Sequence, residues 1–173
     1  MTLNLFGLAL QKVGLQISID ETDDAISVAV SGDGNSNSAS TYNPNTTAIL
    51  VTKDIITLAT KLSAPYKANV LIGRKAQLID YFAVLADFDN PVGTFGFMGV
   101  ELPKVYEWDR SVLTSDYLLI LDTRFALGRV SNGAVSTENE NIIRRQIKGT
   151  AVTISSGFHK IDNSACYILD VTT

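Results

Sequence analysis

His159 is the only histidine in the sequence, so acid–base catalysis of the Ser-His-Asp kind would have to use it as the base. The neighbouring residues 155–160 lack the G-x-S-x-G spacing that presents a nucleophilic serine. A hydrolase or transferase would therefore need Ser155 or Asp122 to converge on His159 in space. Because a lone histidine without converging partners is commonly a surface or capping residue, the sequence predicts no catalytic residue and no enzyme.

The sequence also contains no recognisable motif for binding a metal or a cofactor. Cys166 is the only cysteine, which excludes an internal disulfide and a cysteine-based zinc or iron–sulfur centre within the chain. Its strand-like surroundings predict a buried, unreactive thiol. The acidic residues 20–24 read as a solvated polar turn without calcium-loop spacing. The glycines of residues 93–99 precede a strand, whereas a phosphate cradle opens a helix. The sequence predicts no metal and no cofactor.

Length and composition predict one folded unit. The chain has 173 residues, of which 46% are hydrophobic and 18% charged, so it can bury a substantial core. No apolar run approaches the ~20 residues that a membrane helix needs. The formal net charge is −4, and an acidic surface binds polyphosphate poorly. We therefore expect no membrane partner and no specific nucleic-acid partner.

Any site would be positioned by the secondary-structure elements, and the predicted helices lie in the first half of the chain. Helical spacing predicts a helix over residues 2–13 that stops at Gly14, and period-two alternation predicts strands over 15–19 and 26–30. A Gly/Ser/Asn-rich stretch over 31–47 predicts a mobile surface loop. The next predicted elements are a strand over 48–51 and a helix capped by Thr52 with core residues Ile55, Ala59 and Leu62. A strand over 69–72 follows, and then a helix over 74–87 with a wide apolar stripe of Leu78, Ile79, Phe82, Leu85 and Ala86.

The second half of the chain is dominated by predicted strands. Pro103 indicates an edge or a bulge in the first of them. The predicted strands cover residues 100–105, 117–121, 125–130, 142–147, 151–154 and 167–171. Helices in the first half and strands in the second favour the α+β class.

A basic pair, Arg144-Arg145, is the clearest interaction signal. Neighbouring side chains on a strand point to opposite faces, so one arginine can pair with a carboxylate across the sheet or across a subunit boundary. An acidic turn nearby carries Glu138 and Glu140. Because an arginine that meets an acidic group on a second copy anchors an interface, we predict a subunit interface at Arg144, Arg145, Glu138 and Glu140.

The order of elements resembles that of the major capsid proteins of tailed phages and prophages, which have the Hong Kong 97-type fold. The resemblance lies in a Tyr-x-x-Asn-hydrophobic strand at residues 66–73 before a helix, and in a Gly-x-x-x-Pro strand at residues 99–103. A hydrophobic–Asp-x-x-x-Ala segment at residues 121–126 then leads into strands with a basic patch. The resemblance as a whole covers most of the chain, from about residue 3 to residue 171.

This resemblance implies an axial-domain-like part at about residues 20–141, with peripheral-like or connecting parts at about 1–19 and 142–173. It implies a shell subunit of a phage or prophage head that encloses DNA, assembled in the bacterial cytoplasm. Its partners would be copies of itself in pentamers and hexamers, with scaffolding or decoration proteins as further partners. The family's N-terminal arm, extended hairpin and most of its long helix would precede Leu3, so we expect a truncated or processed subunit that forms no closed shell alone. The alternatives are a small non-viral binding module and a hydrolase with an unrecognised site.

Overall fold

A computed structural model describes residues 5–43, 50–86, 96–97, 100–132, 136–142 and 147–171. The helices are α1 (Leu5–Ser31), α2 (Thr52–Lys61) and α3 (Lys75–Ala86), and a short 3-10 helix covers Asn163–Ala165. The strands are β1 (Ser40–Tyr42), β2 (Val70–Gly73), β3 (Gly96–Phe97), β4 (Val100–Glu101), β5 (Lys104–Glu107), β6 (Tyr117–Leu121), β7 (Leu127–Ser131), β8 (Ser136–Ile142), β9 (Ile147–Thr153), β10 (Ser156–Lys160) and β11 (Cys166–Asp170). This order confirms the α+β class.

A five-stranded sheet with the order β1-β11-β6-β2-β5 forms the centre of the molecule. Strand β6 is antiparallel to both of its neighbours, whereas the outer pairs β1–β11 and β2–β5 are parallel. The apolar run predicted over residues 117–121 is this central strand, and its last four side chains are buried. A continuous apolar run fits this position because both faces of the sheet are covered.

The side chains of β6 alternate between two hydrophobic clusters. Leu118 and Ile120 face α2 and α3, and Leu119 and Leu121 face the second half of α1. The first cluster also includes Leu50, Ile55, Leu58, Leu62, Leu71, Leu78, Tyr81, Leu169 and Val171, and the second includes Ile26, Ala29, Ala39, Leu113, Ala126, Ala165, Cys166 and Ile168. Helices therefore pack on both faces of the sheet, and Cys166 is buried as predicted.

The first 31 residues differ most from the sequence prediction. The predicted stop at Gly14 and the predicted strands over 15–19 and 26–30 are wrong, because one helix, α1, runs through all of them. Gly14 lies in the helix with open space around its Cα, and a glycine there costs about 1 kcal/mol relative to alanine without ending the helix. The helix ends at Gly32, whose φ of 83° suits glycine and whose N–H donates to the carbonyl of Val28 at 2.9 Å.

The predicted loop over 31–47 is wrong in part. Residues 40–42 form β1, which pairs in parallel with β11 at one edge of the sheet. Residues 44–49 lie outside the described residues, so the predicted strand over 48–51 is described only at its end. There, Leu50 is buried but neither it nor Val51 is in a strand.

Two details of the predicted helices also change. Val51 is the N-cap of α2, and its N–H donates to Oδ2 of Asp54 at 3.1 Å, so Thr52 is the first helical residue and not the cap. In α3, Leu78 and Tyr81 face the core, whereas Ile79 and Phe82, both predicted for the apolar stripe, are 59% and 51% exposed. Leu78 and Tyr81 are three residues apart, and this spacing sets the buried face.

Candidate interface between copies

Strands β7 to β10 form two antiparallel two-stranded sheets, β7–β10 and β8–β9, which we together call the ribbon. At its base, β7 pairs with β10, and the N–H of Asn132 donates to the carbonyl of Ser155 at 2.9 Å. Further out, β8 pairs with β9 from Ser136 opposite Thr153 to Ile142 opposite Ile147. We call the β8–β9 pair the arm. Its strands rise ~3.3 Å per residue, so the six steps from Thr153 to Ile147 span about 20 Å.

Two of the four predicted interface residues, Glu138 and Glu140, lie in this arm. Glu138 lies opposite Ala151 with an exposed side chain, and Glu140 lies opposite Gly149. Both are in strand β8, so the turn predicted for them is wrong. Arg144 and Arg145 lie outside the described residues, and their part in an interface therefore stays a prediction.

The first half of α1 exposes apolar side chains. Leu8, Val13 and Leu15 are 48%, 42% and 62% exposed, whereas Ile26 and Ala29 near the other end of the helix are buried. Exposed apolar side chains that cluster along one element indicate a surface that meets another molecule. The apolar side chains of α1 are therefore exposed in its first half and buried near its C-terminal end.

Polar contacts fix α1 to the base of the ribbon and to the loop that follows β5. The carboxylate of Glu21 accepts hydrogen bonds from Ser156 Oγ and from the guanidinium of Arg129, both at 2.5 Å. The carboxylate of Asp23 accepts from Arg110 Nε at 2.7 Å and from Trp108 Nε1 at 2.8 Å. The hydrogen bond from Ser156, followed by the contacts with Arg129, holds the pKa of Glu21 below its ordinary value.

The C-terminal end of α1 is held by three different parts of the chain. The carbonyl of Ala29 accepts from Lys160 Nζ at 3.0 Å, and the carbonyl of Val30 accepts from the N–H of Ala39 at 3.0 Å. The carbonyl of Val28 accepts from Gly32, as described above. Burial lowers the pKa of Lys160, and its position at a helix C-terminus favours a cation. The direction of α1 is therefore fixed at its buried end.

A cleft of about 260 Å³ opens between α1 and the ribbon. We call it the junction cleft, and it is lined by Ile17, Asp20, Glu21, Asp24, Ile154 and Ser156. Asp20 accepts a hydrogen bond from Gln16 Nε2 at 2.7 Å. Within the described parts of the chain, neither Asp20 nor Asp24 has an ion-pair partner. The cleft therefore combines apolar walls with two carboxylates that have no ion-pair partner in the described part of the chain.

The sequence placed these carboxylates in a polar turn, and that prediction is wrong because they lie in α1. The signal that was available is the spacing of Asp20 and Asp24. Residues four apart share one face of a helix, so both carboxylates lie on the same side once the segment is helical. The partners Arg129 and Ser156 are 108 and 135 residues from Glu21 in sequence, and nothing in the sequence pairs them.

The three residues considered for a hydrolase are not joined by any hydrogen bond. The buried carboxylate of Asp122 accepts from the N–H of Lys67 at 2.9 Å and from the guanidinium of Arg124 at 2.7 Å. The ring of His159 lies across the ribbon from Gly128, within 2.2 Å of the place where a Cβ on that glycine would stand. The backbone carbonyl of Ser155 binds Asn132. Asp122 therefore serves the fold, with its pKa held well below the usual range chiefly by Arg124.

In the described parts of the chain, no three His, Cys, Asp or Glu side chains are grouped so that they would hold a metal ion. None of the helices within them combines the length and the hydrophobicity that crossing a membrane requires.

Acid should destabilise the fold through these carboxylates. The pKa values of Glu21 and Asp122 are lowered from ordinary values of 4.5 and 3.8, so their contacts stabilise the protein fully above those values. We expect the thermal unfolding midpoint to stay level from neutral pH to about pH 4.5 and to fall below it as the carboxylates become protonated. Circular dichroism melts across this range test the expectation, and Glu21→Gln should flatten the fall. An unfolding midpoint that rises on acidification would contradict it.

Comparison of the structure with solved structures identifies the class of fold. No protein-family model and no curated protein matches the chain. The solved structures that resemble it have the Hong Kong 97-type capsid fold, and this similarity confirms the fold inferred from the sequence.

The similar structures include two capsids and an encapsulin. The capsid of a native GTA particle, computed with C5 symmetry, matches with a TM-score of 0.70 at 10% identity over 98% of this chain. The capsid of an empty GTA particle gives 0.69 at 11% identity, again over 98% of this chain. The holo-SrpI encapsulin complex from Synechococcus elongatus gives 0.64 at 11% identity over 95% of this chain. The chain spans 66%, 67% and 65% of those three chains, respectively.

Proposed function

We propose that this chain is a subunit of a protein shell that is built from many copies of it. The observation that carries the proposal is the match over 98% of the chain with a capsid protein at a TM-score of 0.70. The protruding half of α1 and the arm support it, because both extend from the core and present surface to neighbours. The proposal assigns the chain a structural role without catalysis or a cofactor, and pentamers and hexamers are the assembly units.

We further propose that the shell is a phage or prophage head that encloses DNA and is assembled in the bacterial cytoplasm. The net charge of −4 supports this role, because an acidic wall contains DNA without binding it tightly. Scaffolding or decoration proteins would be additional partners. An encapsulin-type compartment is the second candidate, favoured by the match to an encapsulin over 95% of the chain.

Particles from cells that produce the protein under its own promoter distinguish these possibilities. The chain is tagged at its C-terminus, and a lysate is separated on a density gradient. We expect the tag in a large-particle fraction that carries nuclease-protected DNA. Particles that carry cargo protein and no DNA would replace the phage-head role with the compartment role. A tag found only among free proteins would overturn the shell function.

The predicted contact residues are tested on the purified chain. We propose that Arg144 and Arg145 meet acidic groups across a subunit boundary, and that Glu138 and Glu140 lie in the same contact. Arg144→Glu with Arg145→Glu should weaken self-association at least tenfold, or about 1.4 kcal/mol, in sedimentation velocity over a range of concentrations. Unchanged assembly would count against the assignment.

A matched control changes the same charge elsewhere. Lys53 and Lys75 are exposed and lie in the first turns of α2 and α3. Because an acidic residue is favourable at a helix N-terminus, Lys53→Glu with Lys75→Glu should fold normally. This control should associate like the original chain.

A further inference from the structure

Helix α1 is held at one level by two separate parts of the chain. Glu21 forms an ion pair with Arg129 of β7 at 2.5 Å, and Asp23 forms one with Arg110 at 2.7 Å. Residues two apart on an α-helix are rotated by about 200° around its axis, so the two carboxylates lie on nearly opposite sides of α1. The ribbon therefore holds one side of the helix, and the segment after β5 holds the other.

The segment after β5 is itself attached to the central sheet. The backbone N–H of Trp108 donates to the carbonyl of Gly73, the last residue of β2, at 3.0 Å, and its indole Nε1 donates to Asp23 at 2.8 Å. The carbonyl of Arg110 accepts from Nη2 of Arg74 at 2.9 Å. Asp23 is therefore connected, through two residues of this segment, to the end of β2 and to the residue that precedes α3.

The ribbon is joined to the central sheet by two connecting segments, which we call the neck. Residues 122–126 lead from β6 to β7, and residues 161–165 lead from β10 to β11. The two segments are hydrogen-bonded to each other, since the N–H of Ile161 donates to the carbonyl of Ala126 at 3.1 Å. A second connection between the ribbon and the sheet runs across α1, through the two ion pairs.

Both ion pairs can open without leaving a charge buried. The side chains of Arg129 and Arg110 are 47% and 46% exposed, and those of Glu21 and Asp23 are 25% and 23% exposed. Ion pairs that reach solvent contribute little to the stability of a fold and are weakened by salt. The two hydrophobic clusters on the faces of the sheet do not depend on these pairs, so the fold stays intact when they open.

The junction cleft provides space for a movement of the ribbon. It has a volume of about 260 Å³ between α1 and the ribbon, and its lining includes Ile17, Glu21 and Ile154. Elements that are packed tightly against each other leave no gap of this size. The ribbon therefore has room to move relative to α1 once the ion pair of Glu21 opens.

We propose that Glu21 and Asp23 form a brace that fixes the angle between the ribbon and the central sheet. With both ion pairs formed, the ribbon is held at the neck and across α1, and its direction is fixed. With either pair open, α1 no longer ties the ribbon to the segment after β5, and the ribbon pivots at the neck. The brace lies within one chain, so it goes beyond the proposed shell function and is tested without assembly.

A distance between the ribbon and the sheet side of the molecule tests the brace. Nitroxide labels on Val130→Cys in β7 and Ile79→Cys in α3 replace side chains that are 60% and 59% exposed, and Cys166 takes no label because it is buried. Pulsed dipolar spectroscopy at low protein concentration gives the distribution of the distance between the labels. We expect a narrow distribution in the original chain and a broader one after Glu21→Ala or Asp23→Ala.

Asp24→Ala is the matched control for these variants. It removes one carboxylate from the same helix, and Asp24 has no ion-pair partner among the described residues, so the distribution should stay narrow. Arg110→Gln opens the ion pair of Asp23 from the other side without altering α1, and it should broaden the distribution as Asp23→Ala does. Circular dichroism and a cooperative urea transition establish that each labelled variant is folded.

Salt gives a second measurement on the same labelled chains. The Debye length falls from about 10 Å at 0.1 M salt to about 3 Å at 1 M, so high salt weakens both ion pairs. We expect the distribution of the original chain to broaden with salt, and that of the chain with both Glu21→Ala and Asp23→Ala to stay as it is.

Two results would overturn the brace. The first is a distribution that is equally narrow in the original chain, in Glu21→Ala, in Asp23→Ala and at both salt concentrations. The second is a distribution in Asp24→Ala as broad as that in Asp23→Ala, because the effect would then follow from the charge of α1 and not from the two ion pairs. Neither result bears on the shell function, which the particle experiment tests separately.

Discussion

Asp122→Ala should destabilise the folded chain by about 3–5 kcal/mol, even though Asp122 lies outside every surface proposed for assembly. Its carboxylate is buried and accepts from the N–H groups of Lys67 and Arg124 and from the guanidinium of Arg124. Alanine leaves those backbone donors without an acceptor, and a hydrogen bond to a charged group contributes about 1.5–3 kcal/mol. The Arg124 side chain is 57% exposed and stays solvated without its partner, so the expected loss comes chiefly from the two backbone donors.

Urea unfolding followed by circular dichroism measures this effect at low protein concentration. Asp109→Ala is the control, because Asp109 is exposed and its loss should change the free energy of unfolding by less than about 0.5 kcal/mol. Asp122→Asn keeps one acceptor oxygen and should fall between the two. An Asp122→Ala chain with an unchanged denaturation midpoint would show that the carboxylate does not organise the turn between β6 and β7.

Ile120→Ala should destabilise the chain by about 2–5 kcal/mol. Ile120 is fully buried in the central strand and belongs to the cluster under α2 and α3. Truncation of a buried isoleucine loses transfer free energy and leaves a cavity that a central strand cannot close.

An isoleucine-to-alanine substitution on the surface is the control for Ile120→Ala. Ile79 is 59% exposed on the outer side of α3, so Ile79→Ala should change the free energy of unfolding by less than about 1 kcal/mol. Both variants are unfolded in urea under identical conditions. Equal losses for the two would mean that β6 does not occupy the centre of the fold.

The sequence alone predicted those elements whose apolar side chains pack locally. Strands β2 and β6 appear as short apolar runs, and α2 and α3 as periodic segments, because burial on a sheet requires such patterns. Strand β1 could not be predicted in this way. Its three residues, Ser40–Tyr42, join the sheet through backbone hydrogen bonds, and their side chains carry little hydrophobic signal.

Helix α1 was mispredicted because it has two different environments. Its first half is exposed and its second half packs on the sheet and ribbon, so no single apolar stripe runs along it. The alternation at residues 15–19 then resembled a strand. The candidate site shared this error, because the junction cleft exists only when Asp20 and Asp24 lie on a helix beside a ribbon that is distant in sequence.

Because α1 is held near Glu21, a small tilt there moves the far end of the helix by a larger distance. Between Glu21, where it is tied to the ribbon, and Leu5, the helix extends about 24 Å at 1.5 Å per residue. A tilt of about 10° at the anchor would displace the free end by about 4 Å. In the proposed shell, such a tilt would alter the angle between adjoining subunits and hence the curvature of the wall. The ion pair between Glu21 and Arg129 would thus help to determine particle diameter.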